Sequence, residues 1–149
     1  MEQLTTVQVH GILLVVVSFA LNGCATYVEP IEGPTAVLSA RGAIDALKIG
    51  YEGKCGNVET VPTDLLKSFR IRAGQQVTIR MSRHGPSSSA CNGEGTFFAV
   101  VGREYRLLAE HAGNYTCRAE MQVKNPSGSW RVEPTFYIQD ARTCLAGEK

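Results

Sequence analysis

Tyr115-Thr116-Cys117-Arg118-Ala119-Glu120-Met121-Gln122-Val123-Lys124 alternates apolar and polar residues without a break. A period of two over this length describes a strand with one face in a core and the other in water. Upstream, Tyr105, Leu107 and Ala109 carry the matching phase. Two registers keep these apolar faces together across a three-residue loop. One sets Arg106 opposite Arg118 and Glu104 opposite Glu120. The other sets Arg106 opposite Glu120 and closes through Ala112-Gly113-Asn114. Opposite charges across a pair add a few tenths to about 1 kcal/mol, while like charges oppose pairing. The second register is therefore expected.

The same period recurs outward from this pair. Phe69 and Ile71 alternate with Arg70 and Arg72, and Val77, Ile79 and Met81 alternate with Thr78, Arg80 and Ser82. Ala73-Gly74-Gln75 between them forms either a tight hairpin, with Arg72 opposite Gln76, or a corner that carries the chain to a facing sheet. Thr35–Ala40, Ala46–Tyr51, Thr96–Val101 and Trp130–Ile138 are further strand candidates, the last interrupted by Pro134 and so an edge or bent. Residues 52–60 and the polar run from His84 to Gly95 read as loops. About seven or eight short strands with frequent turns and no long helical period predict an all-β, small antiparallel sandwich.

The amino-terminal segment has a different character. Gly11 to Leu21 is uncharged and apolar, and Leu21-Asn22-Gly23-Cys24 closes it. Eleven residues are too few for a membrane-spanning helix, which needs about 20, but they suit the apolar region of a signal peptide. No Lys or Arg precedes the run, a departure from the usual positive start. An ordinary secretory peptide cut near Ala25, or a buried strand, are the other readings. The expected organisation is a cleaved lipoprotein signal peptide over residues 1–23, a lipidated tether over 24–34 beginning at Cys24, and a β-sandwich domain over 35–149. Cys24 would carry the lipid, and two or three acyl chains acting together give stable anchoring.

All 15 Lys and Arg follow residue 23, and of the 14 acids only Glu2 precedes it. The balance of the remaining chain is weak and scattered, which does not suit a nucleic-acid partner. Cys55, Cys91, Cys117 and Cys144 then remain. An even number in an exported chain reads as two disulfides with three possible pairings. Chain order favours Cys55–Cys91 with Cys117–Cys144, and spacing alone excludes none of the three. No C-x-x-C spacing points to a redox or zinc motif.

Gly33-Pro34-Thr35-Ala36, Arg72-Ala73-Gly74, Gly102-Arg103-Glu104-Tyr105 and the spaced cysteines resemble a group of small proteobacterial lipoproteins of unknown function, over roughly residues 30–144. The resemblance implies an immunoglobulin-like sandwich. It carries over no catalytic or binding residue.

Other candidate sites are sparse. His84 beside Ser87-Ser88-Ser89 lacks a G-x-S-x-G turn and a placed acid, so it reads as a solvated loop. His111 reads as a hairpin-tip surface residue, and no metal site or cofactor is expected. Arg70, Arg72 and Arg80 share one phase and form a possible binding face for anionic headgroups or an acidic partner. Trp130 is expected to pack in the core against a disulfide.

The expectation is a non-catalytic bacterial envelope lipoprotein, not an enzyme. It would be a protein-interaction or structural accessory module facing the periplasm. A small-ligand or glycan/lipid binder is the alternative. The membrane would be reached through the lipid anchor, and an envelope protein is the expected partner. Ala25 after the lipidated cysteine favours the outer membrane.

Overall fold

A computed structural model describes residues 25–42, 44–51, 57–84, 90–111 and 117–139. These form a two-sheet β-sandwich of ten strands: β1 (Thr35–Gly42), β2 (Ala46–Gly50), β3 (Val58–Val61), β4 (Phe69–Arg72), β5 (Gln75–His84), β6 (Ala90–Ala99), β7 (Glu104–His111), β8 (Cys117–Lys124), β9 (Trp130–Val132) and β10 (Tyr137–Gln139). One sheet has the order β4-β1-β7-β8-β9, and the other β10-β6-β5-β2-β3. Every pairing between neighbouring strands is antiparallel except β1 with β7, which is parallel.

The core follows the alternation. Leu38, Phe69, Ile71, Tyr105, Leu107 and Met121 from the first sheet meet Leu47, Ile49, Val77, Ile79 and Phe97 from the second, all buried. At roughly 1.5–3 kcal/mol per buried large apolar side chain, this layer is the main favourable contribution to folding.

The Ala73-Gly74 segment is a corner. Ala73 N–H donates to the Pro34 carbonyl at 2.9 Å, ahead of β1, and Gly74 N–H donates to the Ala99 carbonyl at 2.7 Å, at the end of β6. Its donors thus go to both sheets. Ala73 is buried, and Gly74 takes φ +77°, where a side chain would be strained.

The β7–β8 register is neither of the two expected, and relative to the favoured one each β7 residue faces a β8 residue two positions further along. Tyr105 faces Val123, Arg106 faces Gln122, Leu107 faces Met121 and Glu110 faces Arg118. Lys124 Nζ lies 2.9 Å from Glu104 Oε2. The expected Arg106–Glu120 pair is not formed; opposite charges meet instead at Glu110 and Arg118 and at Glu104 and Lys124.

Two expected loops contain strands. β5 and β6 pair continuously from Gln75↔Ala99 to His84↔Ala90. Gly93 and Gly95, read as loop glycines, sit inside β6. A Cβ on Gly93 would come within 2.7 Å of Met81 Cε, and one on Gly95 within 2.5 Å of Phe136 Cε2. Neighbouring side chains occupy the space a larger residue would need. Val58–Val61 likewise pairs with β2. Pro134 divides the expected last strand into β9 and β10, which lie at the edges of different sheets.

Candidate functional site

The sandwich has two open sides, and the sequence treats them differently. On one side the edge strands are β3 and β4, and the segment after Cys24 seals both. Tyr27 N–H donates to the Thr60 carbonyl and Thr60 N–H to the Ala25 carbonyl, each at 2.8 Å, so Thr26 bridges β3 as a short parallel addition. Tyr27 is 3% exposed, and its ring meets Phe69 edge-on at 5.6 Å. Its hydroxyl donates to the Arg70 carbonyl at 2.5 Å and lies 3.1 Å from the Tyr51 hydroxyl. Arg70 N–H donates to Glu29 Oε1 at 2.6 Å, and Arg72 N–H to the Tyr51 hydroxyl at 3.2 Å. The outward backbone groups of β4 are therefore satisfied by side chains, which blocks pairing with another chain.

This corrects the expected tether. Residues 25–29 are part of the folded domain. Tyr27 is buried and its backbone and hydroxyl are bonded to β3 and β4, which a flexible spacer would not be.

On the other side, β9 and β10 each run for three residues. Among the described residues, no strand pairs with their outer edges. Val132, Tyr137 and Ile138 stand 56%, 44% and 59% exposed there. Glu133 between them is buried, and its carboxylate accepts from Thr135 N–H at 3.0 Å and Thr135 Oγ1 at 2.7 Å. That bond fixes the crossing at Pro134 and sets the two short edges side by side.

The three arginines do not form one face. β4 and β5 belong to different sheets because the chain turns a corner rather than a hairpin. Arg70 and Arg72 stand on the outer face of the first sheet. Arg70 reaches Glu29 at 3.9 Å, and Arg72 lies over the Tyr51 ring at 5.4 Å. Arg80 stands on the second sheet, where its Nε donates to Glu94 Oε2 at 2.5 Å. The Glu94 side chain is only 3% exposed. Each cation already has a partner.

Trp130 is half-buried on the outer face of the first sheet rather than in the core. The Arg106 guanidinium lies 4.2 Å from its ring centroid and Lys124 Nζ 5.9 Å. Arg106 is itself held by Gln122 Oε1, and Gln122 Nε2 donates to Glu120 at 2.6 Å. This ladder spans β7, β8 and β9.

Cys24, Cys55 and Cys144 lie outside the described residues, as do Ser87-Ser88-Ser89. Cys91, Cys117, His84 and His111 are placed as strand positions. Comparison with protein-family models, curated proteins and solved structures returns no match.

Proposed function

We propose that this chain is a lipid-anchored bacterial envelope protein whose sandwich is a non-catalytic interaction or structural module facing the periplasm. The run Gly11–Leu21 closed by Leu21-Asn22-Gly23-Cys24 is the observation that carries the placement. Lipidation at Cys24, the outer-membrane location and kinship with small proteobacterial lipoproteins belong to this same reading.

The edges support the interaction role. Backbone groups are capped at β4 and covered at β3, whereas β9 and β10 present short edges beside exposed Val132 and Ile138. Strand edges guarded on one side and, among the described residues, left without a pairing strand on the other favour capture of an envelope protein at β9 and β10.

Intact mass of the membrane-extracted protein tests the anchor. The expected mass lacks residues 1–23 and carries diacylglycerol and an acyl chain on Cys24. A protein retaining those residues, or one released from membranes by washing, refutes it. Photo-crosslinkers at Val132 and Ile138 should capture an envelope protein in cells, while one at Arg70 should not. Equal capture from both sides would remove the assignment of the interaction surface.

A further inference from the structure

We propose that Cys91 and Cys117 form a disulfide that joins the two sheets at one end of the sandwich. The inference rests on the envelope reading only for an oxidising compartment; the pairing rests on topology.

Both cysteines lie at the same end. Cys91 faces Arg83 on β5, one position beyond the Ser82↔Asn92 pair, and Ser82 also faces Ala46 at the start of β2. Cys117 faces His111, two positions beyond the Ala109↔Ala119 pair, and Ala109 also faces Gly42 at the end of β1. Only three residues separate Gly42 from Ala46, and Asp45 N–H donates to the Ser82 carbonyl at 3.0 Å. The chain therefore crosses between the sheets at the end that holds both cysteines.

They also lie on strands that approach one another. β6 and β8 belong to opposite sheets and come into contact across the core. Cys91 shares its parity with Phe97 and Ala99 on β6, and Cys117 with Met121 and Val123 on β8, the positions that build the core. Close by, β6 carries glycine at 93 and 95 and β8 carries alanine at 119. Met81 and Phe136 fill the space over the two glycines, so the closeness of the sheets here rests on the contact between β6 and β8, and a disulfide needs Cα atoms roughly 4.4–6.8 Å apart.

Chain reach removes the competing partner. Cys55 is two residues from Asn57, so their Cα atoms are separated by at most about 7.6 Å. Asn57 abuts Gly50, which faces Thr78, and Thr78 faces Thr96. Cys91 is five residues before Thr96. At about 3.3 Å per residue and 4.8 Å per strand, Asn57 and Cys91 lie roughly 24 Å apart. A disulfide spans at most about 7 Å between Cα atoms, so Cys55 falls short of Cys91. It falls short of Cys117, at that same end, for the same reason. If Cys91 paired with Cys144 instead, Cys117 would be left with no partner in reach. Cys55 is left with Cys144 as its complement.

The oxidation balances through an external disulfide. One thiolate attacks a sulfur of an oxidising thiol–disulfide carrier, giving a mixed disulfide. The second thiolate then displaces the carrier, which leaves as a dithiol with the two electrons and, overall, both protons.

Non-reducing tryptic mapping of the full chain expressed with export tests this. The four cysteines fall on separate peptides, 55–67, 84–103, 107–118 and 143–149. The expected species joins 84–103 to 107–118, and it should persist in a Cys55→Ser, Cys144→Ser double variant. Linkage of 84–103 to 55–67 or to 143–149, or free thiols on 84–103 and 107–118, overturns the proposal. The acyl mass on Cys24 is read separately. A lipidated protein with the wrong linkage defeats only the pairing, and the right linkage without lipid defeats only the placement.

Discussion

Replacing Tyr105 by Phe removes one oxygen atom from the centre of the fold. Tyr105 is 1% exposed, and its ring lies 4.9 Å from that of Phe97 across the sheets. The hydroxyl accepts from Val100 N–H at 2.8 Å and points back toward the Phe98 carbonyl at 3.5 Å. It thereby pins the turn that carries β6 into β7. That turn is closed further by Arg103 N–H on the Val100 carbonyl at 3.2 Å and by Gly102 N–H on the Thr35 carbonyl at 2.8 Å. Phe keeps the ring contact and the volume, so only the hydrogen bond and the satisfaction of Val100 N–H are lost. That costs about 1–1.5 kcal/mol. For a domain of this size the melting temperature should fall by roughly 3–6 °C. Urea unfolding should show a lower midpoint with an unchanged slope, because the exposed surface is the same. Amide exchange at Val100 should quicken. A loss below about 0.3 kcal/mol with unchanged Val100 exchange would refute the role assigned to the hydroxyl. A Tyr105→Leu comparison should cost about 1 kcal/mol more, through the aromatic pair.

Further outcomes follow from other contacts. Tyr27→Ala should cost about 3–4 kcal/mol and expose residues 25–34 to limited proteolysis, since the side chain is buried and holds the segment to β3 and β4; an intact segment after protease treatment would argue against docking. Burial, reinforced by the Tyr51 hydrogen bond, raises the Tyr27 hydroxyl pKa, and burial likewise raises that of Tyr105. The folded state thus keeps protons that the unfolded chain releases near pH 10, so this stability is present below pH 10 and lost as pH rises above it; a denaturation midpoint flat to pH 11.5 would contradict it. Arg106→Ala should uncover the Trp130 ring and shift its fluorescence to longer wavelength, with a stability change under about 1 kcal/mol. Gly95→Val should destabilise by about 1–3 kcal/mol through the collision with Phe136, measured by thermal melting.

Strand content was legible where alternation was strong. β4, β5, β7 and β8 all follow it, because a half-buried strand leaves a period of two in the sequence. β3 and the first half of β6 were not legible. Gly53, Gly56 and Asn57 ahead of β3, and Asn92, Gly93 and Gly95 within β6, carry the composition of a loop, while the structure uses Gly93 and Gly95 to admit Met81 and Phe136. The β7–β8 register was constrained by charge only up to the choice of loop length, and the five residues between His111 and Cys117 exceed the length assumed. The Arg70, Arg72 and Arg80 grouping failed because phase is conserved within a sheet and not across a corner. Tyr27 and Glu29 were hidden because capping a strand edge depends on which strand ends up outermost.

The docking of Ala25 to Thr60 bears on height above the bilayer. Ten extended residues would have given the domain a leash of about 33 Å. If Cys24 is acylated, as proposed, that slack would be gone, because the next residue is already hydrogen-bonded into the fold. The module would ride directly on the leaflet at a restricted tilt, sweeping little volume. On that reading a partner would have to come within one domain's length of the membrane surface, and envelope components deeper in the compartment would stay out of its range.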